Sequence, residues 1–206
     1  MYDDGRMNDR PRWFTGTKEG HSEWYVERFR TAAAEGTDIT GEARLLDAIV
    51  PPRSRILDAG CGPGRLGAEL HARGHTVVGV DVDPVLIAAA EEDHPGPTWL
   101  VADLAELKLD EEPFDAALIA GNVMVFVAPG TEADVLAHVT AHVKPDGVVV
   151  VGFDLDLHYT LAEFDADLEA AGLRVEQRFA TWDLRPLADD PDYAVTIARV
   201  SPEGTR

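Results

Sequence analysis

From residue 54 onward, short apolar segments alternate with segments of helical length, and this alternation restricts the fold more strongly than any other feature of the chain. The apolar segments are hydrophobic at consecutive positions rather than at every second one, most clearly in the four valines at 148–151. Such strands are typical of a parallel sheet that helices cover on both faces. The alternation therefore predicts a doubly wound, mostly parallel α/β fold.

The elements predicted from this pattern account for most of the chain. Strands are predicted at 55–59, 76–80, 98–101, 114–120, 148–153, 173–179 and 193–200. Because no helix separates the last two strands, we expect them to pair antiparallel. Residues 1–40 are expected to form a polar tail and a lid helix, ahead of a sheet domain at 41–206. Helices are predicted at 22–35, 41–50, 64–73, 131–143 and 161–171, with a further helix beginning at Asp83-Pro84.

Composition excludes several classes of partner. The 206 residues include 38 acidic and 18 basic side chains, which give a formal net charge of −20. Nucleic acids and anionic membranes bind basic surfaces, so we expect neither as a partner. The single cysteine permits no intrachain disulfide, and residues 1–12 contain no apolar stretch like that of a signal peptide. We expect a cytoplasmic protein, and a homodimer is compatible with this composition.

A glycine-rich turn follows the first predicted strand. Ligands of open α/β sheets bind beyond the carboxyl ends of the strands, where this turn lies. Glycine permits a tight turn and a close approach of ligand to backbone, because no Cβ stands in the way. A turn of this kind also occurs without a ligand, so it is not sufficient evidence for a site. The turn reads Asp58-Ala59-Gly60-Cys61-Gly62-Pro63-Gly64.

Two acidic residues at later strand ends strengthen the case for a ligand. Asp81 ends the second predicted strand, about 20 residues after the first glycine, where a carboxylate can accept hydrogen bonds from both hydroxyls of a ribose. Asp103 ends the third, where it can accept a bond from an adenine amino group while the N–H of Leu104 meets a ring nitrogen. Either acid alone could be a helix cap. Together with the glycine turn, they indicate an adenosine-containing ligand.

The charge ahead of the glycines distinguishes between adenosine ligands. Residues 62–67 fit the dinucleotide fingerprint, in which a helix N-terminus faces a pyrophosphate. Here Asp58 stands before the glycines, and a carboxylate there would repel a pyrophosphate and attract a cation. S-adenosylmethionine carries an ammonium, a sulfonium and no phosphate. Asp58 therefore favours S-adenosylmethionine over NAD.

The spacing Asp58-x-Gly60-x-Gly62-x-Gly64 resembles the signature loop of class I S-adenosylmethionine-dependent methyltransferases, and the resemblance extends over residues 42–200. It implies a Rossmann-like, seven-stranded sheet in the order 3-2-1-4-5-7-6, with strand 7 antiparallel. It also implies that the glycines line the methionine and ribose, and that residues 121 and 122 face the reacting centre. The expected cofactor-binding residues are Asp58, Gly60, Cys61, Gly62, Gly64, Asp81, Val82, Asp103, Leu104, Gly121 and Asn122.

Methyl transfer from a sulfonium requires mainly an in-line nucleophile, and orientation alone can contribute about 7–11 kcal/mol. A base is required only if the acceptor must lose a proton, so no catalytic residue is demanded. His158, Tyr159 and Tyr25 are weak candidates for a base, and Tyr25 with Trp24 is expected to cover the cofactor or the acceptor. The histidines lack the spacing of metal ligands, so no metal is expected. Because no substrate domain is inserted, we expect a small-molecule acceptor.

Three other functions share parts of this pattern. An NAD-dependent reductase would need a hydride-transfer site, but the chain has no Tyr-x-x-x-Lys sequence. An aminopropyltransferase would need acidic residues near the end of the fourth strand, where residues 119–127 are neutral. A non-catalytic sensor of S-adenosylmethionine would have the same cofactor site, and the sequence does not distinguish it from an enzyme.

Overall fold

The computed structural model describes residues 10–155 and 157–202. Its strands are β1 (Arg55–Ala59), β2 (Thr76–Asp81), β3 (Thr98–Val101), β4 (Phe114–Ile119), β5 (Val143–Asp154), β6 (Leu173–Phe179) and β7 (Tyr193–Val200). A short 3-10 turn spans Leu104–Glu106. The α-helices are α1 (Arg12–Thr15), α2 (His21–Ala34), α3 (Gly41–Ile49), α4 (Arg65–Ala72), α5 (Pro84–Asp93), α6 (Val123–Phe126), α7 (Glu132–Ala141) and α8 (Leu161–Ala170).

The seven strands form one sheet in the order β3-β2-β1-β4-β5-β7-β6. The first five pair in parallel, whereas β7 runs antiparallel to both β5 and β6. The predicted fold class, strand order and antiparallel strand are therefore confirmed. Since parallel strands end at the same edge of a sheet, the segments following β1, β2, β3 and β4 meet at one edge.

The apolar strands serve two hydrophobic layers. In β5, Val149 and Val151 belong to the cluster that includes Leu136 of α7. Val148 and Val150 belong to the opposite cluster, which α3 and α4 complete. Successive side chains of a strand point to opposite faces, so a sheet covered on both sides needs apolar residues at every position. This requirement explains the unbroken run of valines.

Some predicted boundaries were wrong. The fifth strand was predicted at 148–153, but β5 also includes residues 143–147, an irregular part where the pairing register with β4 shifts. Asp146 has a φ of 64° there. The helices α1 and α6 were not predicted, because four residues are too few to show a helical period. In addition, α2 begins at His21, one residue before the predicted start of this helix.

The N-terminal segment is attached to the sheet domain. The helix α2 packs against α5, and Val26 belongs to a small buried cluster with Leu86 and Ala89. The expected polar tail falls partly outside the described residues, since 1–9 are not described. Within the described part, residues 12–15 form α1. A search of the described helices finds none with the length and apolar character needed to cross a bilayer.

Candidate functional site

The turn after β1 has the tight form that its glycines allow. Gly60, Gly62 and Gly64 have φ angles of 81°, 55° and 87°, a left-handed region that other residues enter at a cost. The N–H groups of Gly60 and Cys61 both donate to the carbonyl of Val80, at 2.7 and 3.0 Å. The end of β2 therefore fixes the turn from one side.

A cleft lies between this turn, the ends of β2, β3 and β4, and the N-terminal helices α1 and α2. Its cavity volume is about 80 Å³, and the cleft is open to solvent. Most of the predicted cofactor-binding residues line it. They are Gly60, Cys61, Gly62, Asp81, Val82, Asp103, Leu104 and Gly121.

The two predicted acids at the strand ends are held by backbone N–H groups. Asp81 is buried, and its Oδ2 and Oδ1 accept bonds from the N–H of Gly62 at 2.9 Å and of Asp83 at 3.0 Å. Burial raises the pKa of Asp81 to about 6. Asp103 accepts a bond on Oδ1 from the N–H of Ala105 at 2.9 Å. A carboxylate has about four acceptor positions, so both acids can accept further bonds from a ligand.

Asp58 does not line the cleft, contrary to its predicted direct role. It is only 1% exposed, and its Oδ2 has no hydrogen-bond partner among the described residues. This oxygen faces α4, where a Cβ placed on Gly67 would lie 3.0 Å from it. Burial raises the pKa of Asp58 to about 7. Arg65 and the backbone N–H of Gly67 favour the charged form of this carboxyl, but less than burial disfavours it, so a further cation nearby would stabilise the charge.

Two more predicted ligand residues lie outside the cleft. A Cβ on Gly64 would lie 2.9 Å from Ala90 Cβ and 3.0 Å from the ring of Trp99, so this glycine permits close packing of the turn. Asn122 has a φ of 67°, and its Oδ1 accepts a bond from the backbone N–H of Asp154 at 3.0 Å. Its side chain therefore connects the ends of β4 and β5.

Only one of the three candidate bases reaches the cleft. Tyr159 is buried, and its hydroxyl donates to Asp167 Oδ2 at 2.6 Å. His158 is exposed and does not line the cleft. Tyr25 does line it, because its Cε1 lies 3.6 Å from the position of a Cβ on Gly62 and its hydroxyl 3.9 Å from that on Gly121.

The rest of the wall was not predicted from the sequence. Trp13 lies edge-on to both Tyr25 and Phe126, with ring centroids 5.3 and 5.6 Å apart. Trp24 is 55% exposed and lies outside the cleft, so the expectation that it covers the cofactor was wrong. The only sequence signals for the missed residues were an aromatic pair in a polar tail and the uncharged run 116–130. The unpredicted lining residues are Pro11, Trp13, Pro63, Arg65, Leu66, Leu86, Ala120, Val123, Phe126 and Val127.

The helix α1 is held at both sides of the cleft. On one side, the indole Nε1 of Trp13 donates to Asp83 Oδ2 at 2.7 Å. On the other, the backbone N–H of Arg12 donates to the carbonyl of Val127 at 3.3 Å, and its guanidinium pairs with Glu132 at 2.9 Å. Residues 11–13 therefore bridge the cleft.

The described residues contain no group of three or more His, Cys, Asp or Glu side chains arranged to hold a metal ion. The thiol of Cys61 is buried, and burial raises its pKa well above the usual value. A protonated thiol is a poor nucleophile and metal ligand. Cys61 therefore acts as a small apolar residue of the turn.

Comparison with known proteins gives consistent matches. A protein family described as a methyltransferase domain matches residues 56–147. The structure is similar to that of a TehB-like SAM-dependent methyltransferase from Corynebacterium glutamicum, with 41% sequence identity and a TM-score of 0.83. That similarity covers 88% of this chain and 98% of the other.

Two curated proteins match over shorter regions. Ribosomal protein L11 methyltransferase of Symbiobacterium thermophilum is 36% identical over 106 residues, which cover 50% of this chain and 33% of that protein. Malonyl-acyl-carrier-protein O-methyltransferase of Salmonella typhimurium is 32% identical over 94 residues, which cover 46% of this chain and 36% of that protein. The chain thus spans about a third of the length of these two relatives.

Proposed function

The chain belongs to the class I S-adenosylmethionine-dependent methyltransferases, and we propose that it transfers the methyl group of this cofactor to a small-molecule acceptor by in-line displacement. The observation that carries the proposal is the convergence of the glycine turn, Asp81 and Asp103 on one cleft. S-adenosylmethionine, the cofactor of the family, supplies an activated methyl group on a good leaving group. The chain must therefore bind, orient and shield the reactants.

The lining residues fit the parts of this cofactor. Asp81 is assigned to the ribose hydroxyls, since its oxygens retain acceptor positions beyond the bonds from Gly62 and Asp83. Asp103 and the backbone N–H of Leu104 are assigned to the adenine. Gly60, Gly62 and Gly121 are assigned to the methionine, with Cys61 and Val82 as apolar neighbours.

The unpaired buried oxygen of Asp58 supports a cationic ligand rather than a dinucleotide. Burial disfavours the charge of this carboxyl, whose Oδ2 has no hydrogen-bond partner in the described residues, so the charge gains from the ammonium and sulfonium of the cofactor through the low dielectric of the turn. A pyrophosphate at the same place would raise the pKa of Asp58 further. NAD is therefore the less suitable occupant of the cleft.

The N-terminal segment is assigned the role of a cover. Trp13 and Tyr25 lie across the cleft and exclude part of the solvent from it. The connections at the reacting edge are short, since only residues 120–122 separate β4 from α6. A cleft with this cover and without an inserted domain favours a small acceptor over a folded protein.

Isothermal titration calorimetry with S-adenosylmethionine, S-adenosylhomocysteine and NAD tests the cofactor assignment. We expect micromolar binding of the first two and none of NAD. A screen of metabolite fractions for release of S-adenosylhomocysteine then tests catalysis. Binding without turnover in any fraction would favour a non-catalytic sensor, and binding of NAD alone would reject the proposal.

A further inference from the structure

The ionisable side chains that line the cleft restrict the acceptors that can be methylated there. Within the described residues, the lining includes five such side chains. The carboxylates of Asp81 and Asp103 accept bonds from backbone N–H groups, and the proposed function assigns their remaining positions to the nucleoside. The other three are Tyr25, Cys61 and Arg65.

Tyr25 is the ionisable group nearest to the reacting edge, because its hydroxyl lies close to Gly121. Burial raises the pKa of its phenol, although the charges of Arg65 and Arg28 lower it, while those of Asp81 and Glu42 add to the increase. A phenol with a raised pKa is protonated at neutral pH. Tyr25 can therefore donate a hydrogen bond to an acceptor but has no capacity to remove its proton.

Neither of the other two lining groups can act as a base. The Cys61 thiol is buried and protonated, as its raised pKa indicates. The Arg65 guanidinium contacts Glu42 at 2.6 Å and also donates to the carbonyl of Ile39. Arginine stays protonated in proteins. Glu42 is held by this ion pair and is not among the lining residues.

The nearby histidines do not fill this role in the described structure. His21 packs against Trp13 with ring centroids 4.8 Å apart, but it does not line the cleft. His158 is exposed outside the cleft, and the neighbouring Tyr159 donates to Asp167. The lining residues thus offer donors, apolar surface and no free proton acceptor.

A cationic side chain, that of Arg28, lies near this lining. The guanidinium of Arg28 lies over the rings of Trp24 and Phe29, at 5.8 and 5.5 Å from their centroids. It has no carboxylate partner among the described residues, although the chain carries a net charge of −20. It is close enough to Tyr25 for its charge to act on the phenol. An anion at the cleft mouth would therefore be attracted rather than repelled locally.

We propose that the acceptor is a small nucleophile that is already deprotonated when it enters the cleft, such as a thiolate, and that the protein supplies no general base. The inference rests on the proposed methyl transfer. A lone pair of the acceptor forms the bond to the methyl carbon, the carbon–sulfur bond of the sulfonium breaks, and its electron pair remains on sulfur. No proton moves in this step. An alcohol would have to lose a proton for which the lining provides no acceptor.

The pH dependence of turnover with a series of probes tests this assignment. The probes are thiophenol and its 4-nitro and 4-methoxy derivatives, with benzyl alcohol as the control. We expect methylation of the thiols alone. For each thiol, kcat/KM should rise with pH through an inflection at the pKa of that thiol and reach a plateau above it. The inflection should therefore move with the substituent.

Two results would overturn the proposal. One is methylation of benzyl alcohol, or an inflection that stays the same across the thiols, since either would require a proton acceptor in the protein. The other is an enzyme that binds S-adenosylhomocysteine and methylates none of the thiols. Failure to bind S-adenosylhomocysteine would instead reject the proposed function itself, so the two failures can be told apart.

The variant Tyr25→Phe tests whether the Tyr25 hydroxyl acts as a hydrogen-bond donor or as a base. We expect a lower kcat/KM for thiophenol, with the inflection still at the pKa of thiophenol. Loss of the inflection in this variant would identify Tyr25 as the proton acceptor and overturn the proposal. Tyr159→Phe, which changes a tyrosine outside the cleft, is the matched control, and calorimetry with S-adenosylhomocysteine reports whether each variant keeps its cofactor site.

Discussion

The indole Nε1 of Trp13 donates a hydrogen bond to the buried carboxylate of Asp83 at 2.7 Å, across 70 positions of the sequence. The same carboxylate accepts bonds from the hydroxyl of Ser22 and from the backbone N–H of Val85 at 2.8 Å. Asp83 thus joins α1, α2 and the start of α5 two residues after Asp81. The cover of the cleft and the proposed ribose site are consequently fixed to the same short segment.

The variant Trp13→Phe tests whether this connection holds the cover closed. Phenylalanine keeps an aromatic ring but removes the donor, and a hydrogen bond to a charged group contributes about 1.5–3 kcal/mol. We expect the affinity for S-adenosylhomocysteine to fall by at most this amount, as measured by calorimetry. Trp24→Phe is the matched control, since Trp24 is exposed outside the cleft. Equal affinities of the two variants would show that α1 does not cover the cofactor.

The variant Asp81→Ala tests the ribose assignment. Removal of the carboxylate should weaken binding of S-adenosylmethionine by about 1.5–3 kcal/mol, because charge-assisted hydrogen bonds to the ribose are lost. Calorimetry on the variant measures the change. Asp165→Ala, at an exposed aspartate that pairs with Arg178, controls for the loss of one negative charge. An unchanged affinity of Asp81→Ala would contradict the assignment.

The raised pKa of Asp81, about 6, makes cofactor binding depend on pH. Protonation removes acceptor capacity, so we expect the Kd for S-adenosylhomocysteine to rise as the pH falls through this value. Protonation of Asp81 has the opposite effect on the stability of the fold. A carboxyl whose pKa is raised in the folded state destabilises the fold above that pKa, and this cost disappears as the pH falls. Weaker binding at low pH would therefore not reflect unfolding caused by Asp81.

Calorimetry at several pH values between about 5 and 8 checks this dependence. Asp58, whose pKa burial raises to about 7, titrates in the same interval. The variant Asp81→Asn should therefore lose the inflection near pH 6 and keep the one nearer 7. A Kd that is constant over the whole interval would rule out an ionised Asp81 as a requirement for binding.

The sequence predicts the features of this fold that leave a local pattern, but not the contacts between residues that are distant in the sequence. The doubly covered parallel sheet followed from apolar runs such as that of β5, because a sheet covered on both faces leaves a local signature. The order of the strands was implied only by the resemblance of the glycine turn to a known family. Asp81 and Asp103 were predictable for a similar reason, since parallel strands bring their carboxyl ends together. The bond from Trp13 to Asp83 has no such signature. It joins two segments that only the completed fold brings into contact.

The predicted residues that proved to lie outside the cleft show a second limit. A motif gives the residue type at each position but not the direction of each side chain. Asp58 turns towards Gly67 of α4, and Asn122 turns towards the backbone of Asp154. In both cases packing around the turn, rather than the spacing of the motif, decides what the side chain contacts.

Gly62 and Gly64 also differ in their surroundings, since Gly62 lines the cleft and Gly64 lies against packed side chains. A pair of alanine variants separates these two roles. Gly62→Ala and Gly64→Ala each place a Cβ in the left-handed region, which costs about 1–2 kcal/mol. At Gly64 the Cβ would also press on Ala90 and Trp99 at 2.9–3.0 Å, and overpacking adds about 1–3 kcal/mol. At Gly62 the nearest atom is Tyr25 Cε1 at 3.6 Å, so the Cβ would stand in the cleft without a clash.

We therefore expect urea unfolding to show the larger loss of stability for Gly64→Ala. For each variant, the loss of S-adenosylhomocysteine affinity measured by calorimetry is divided by the loss of unfolding free energy. We expect this ratio to be larger for Gly62→Ala. A larger ratio for Gly64→Ala would place Gly64 at the ligand.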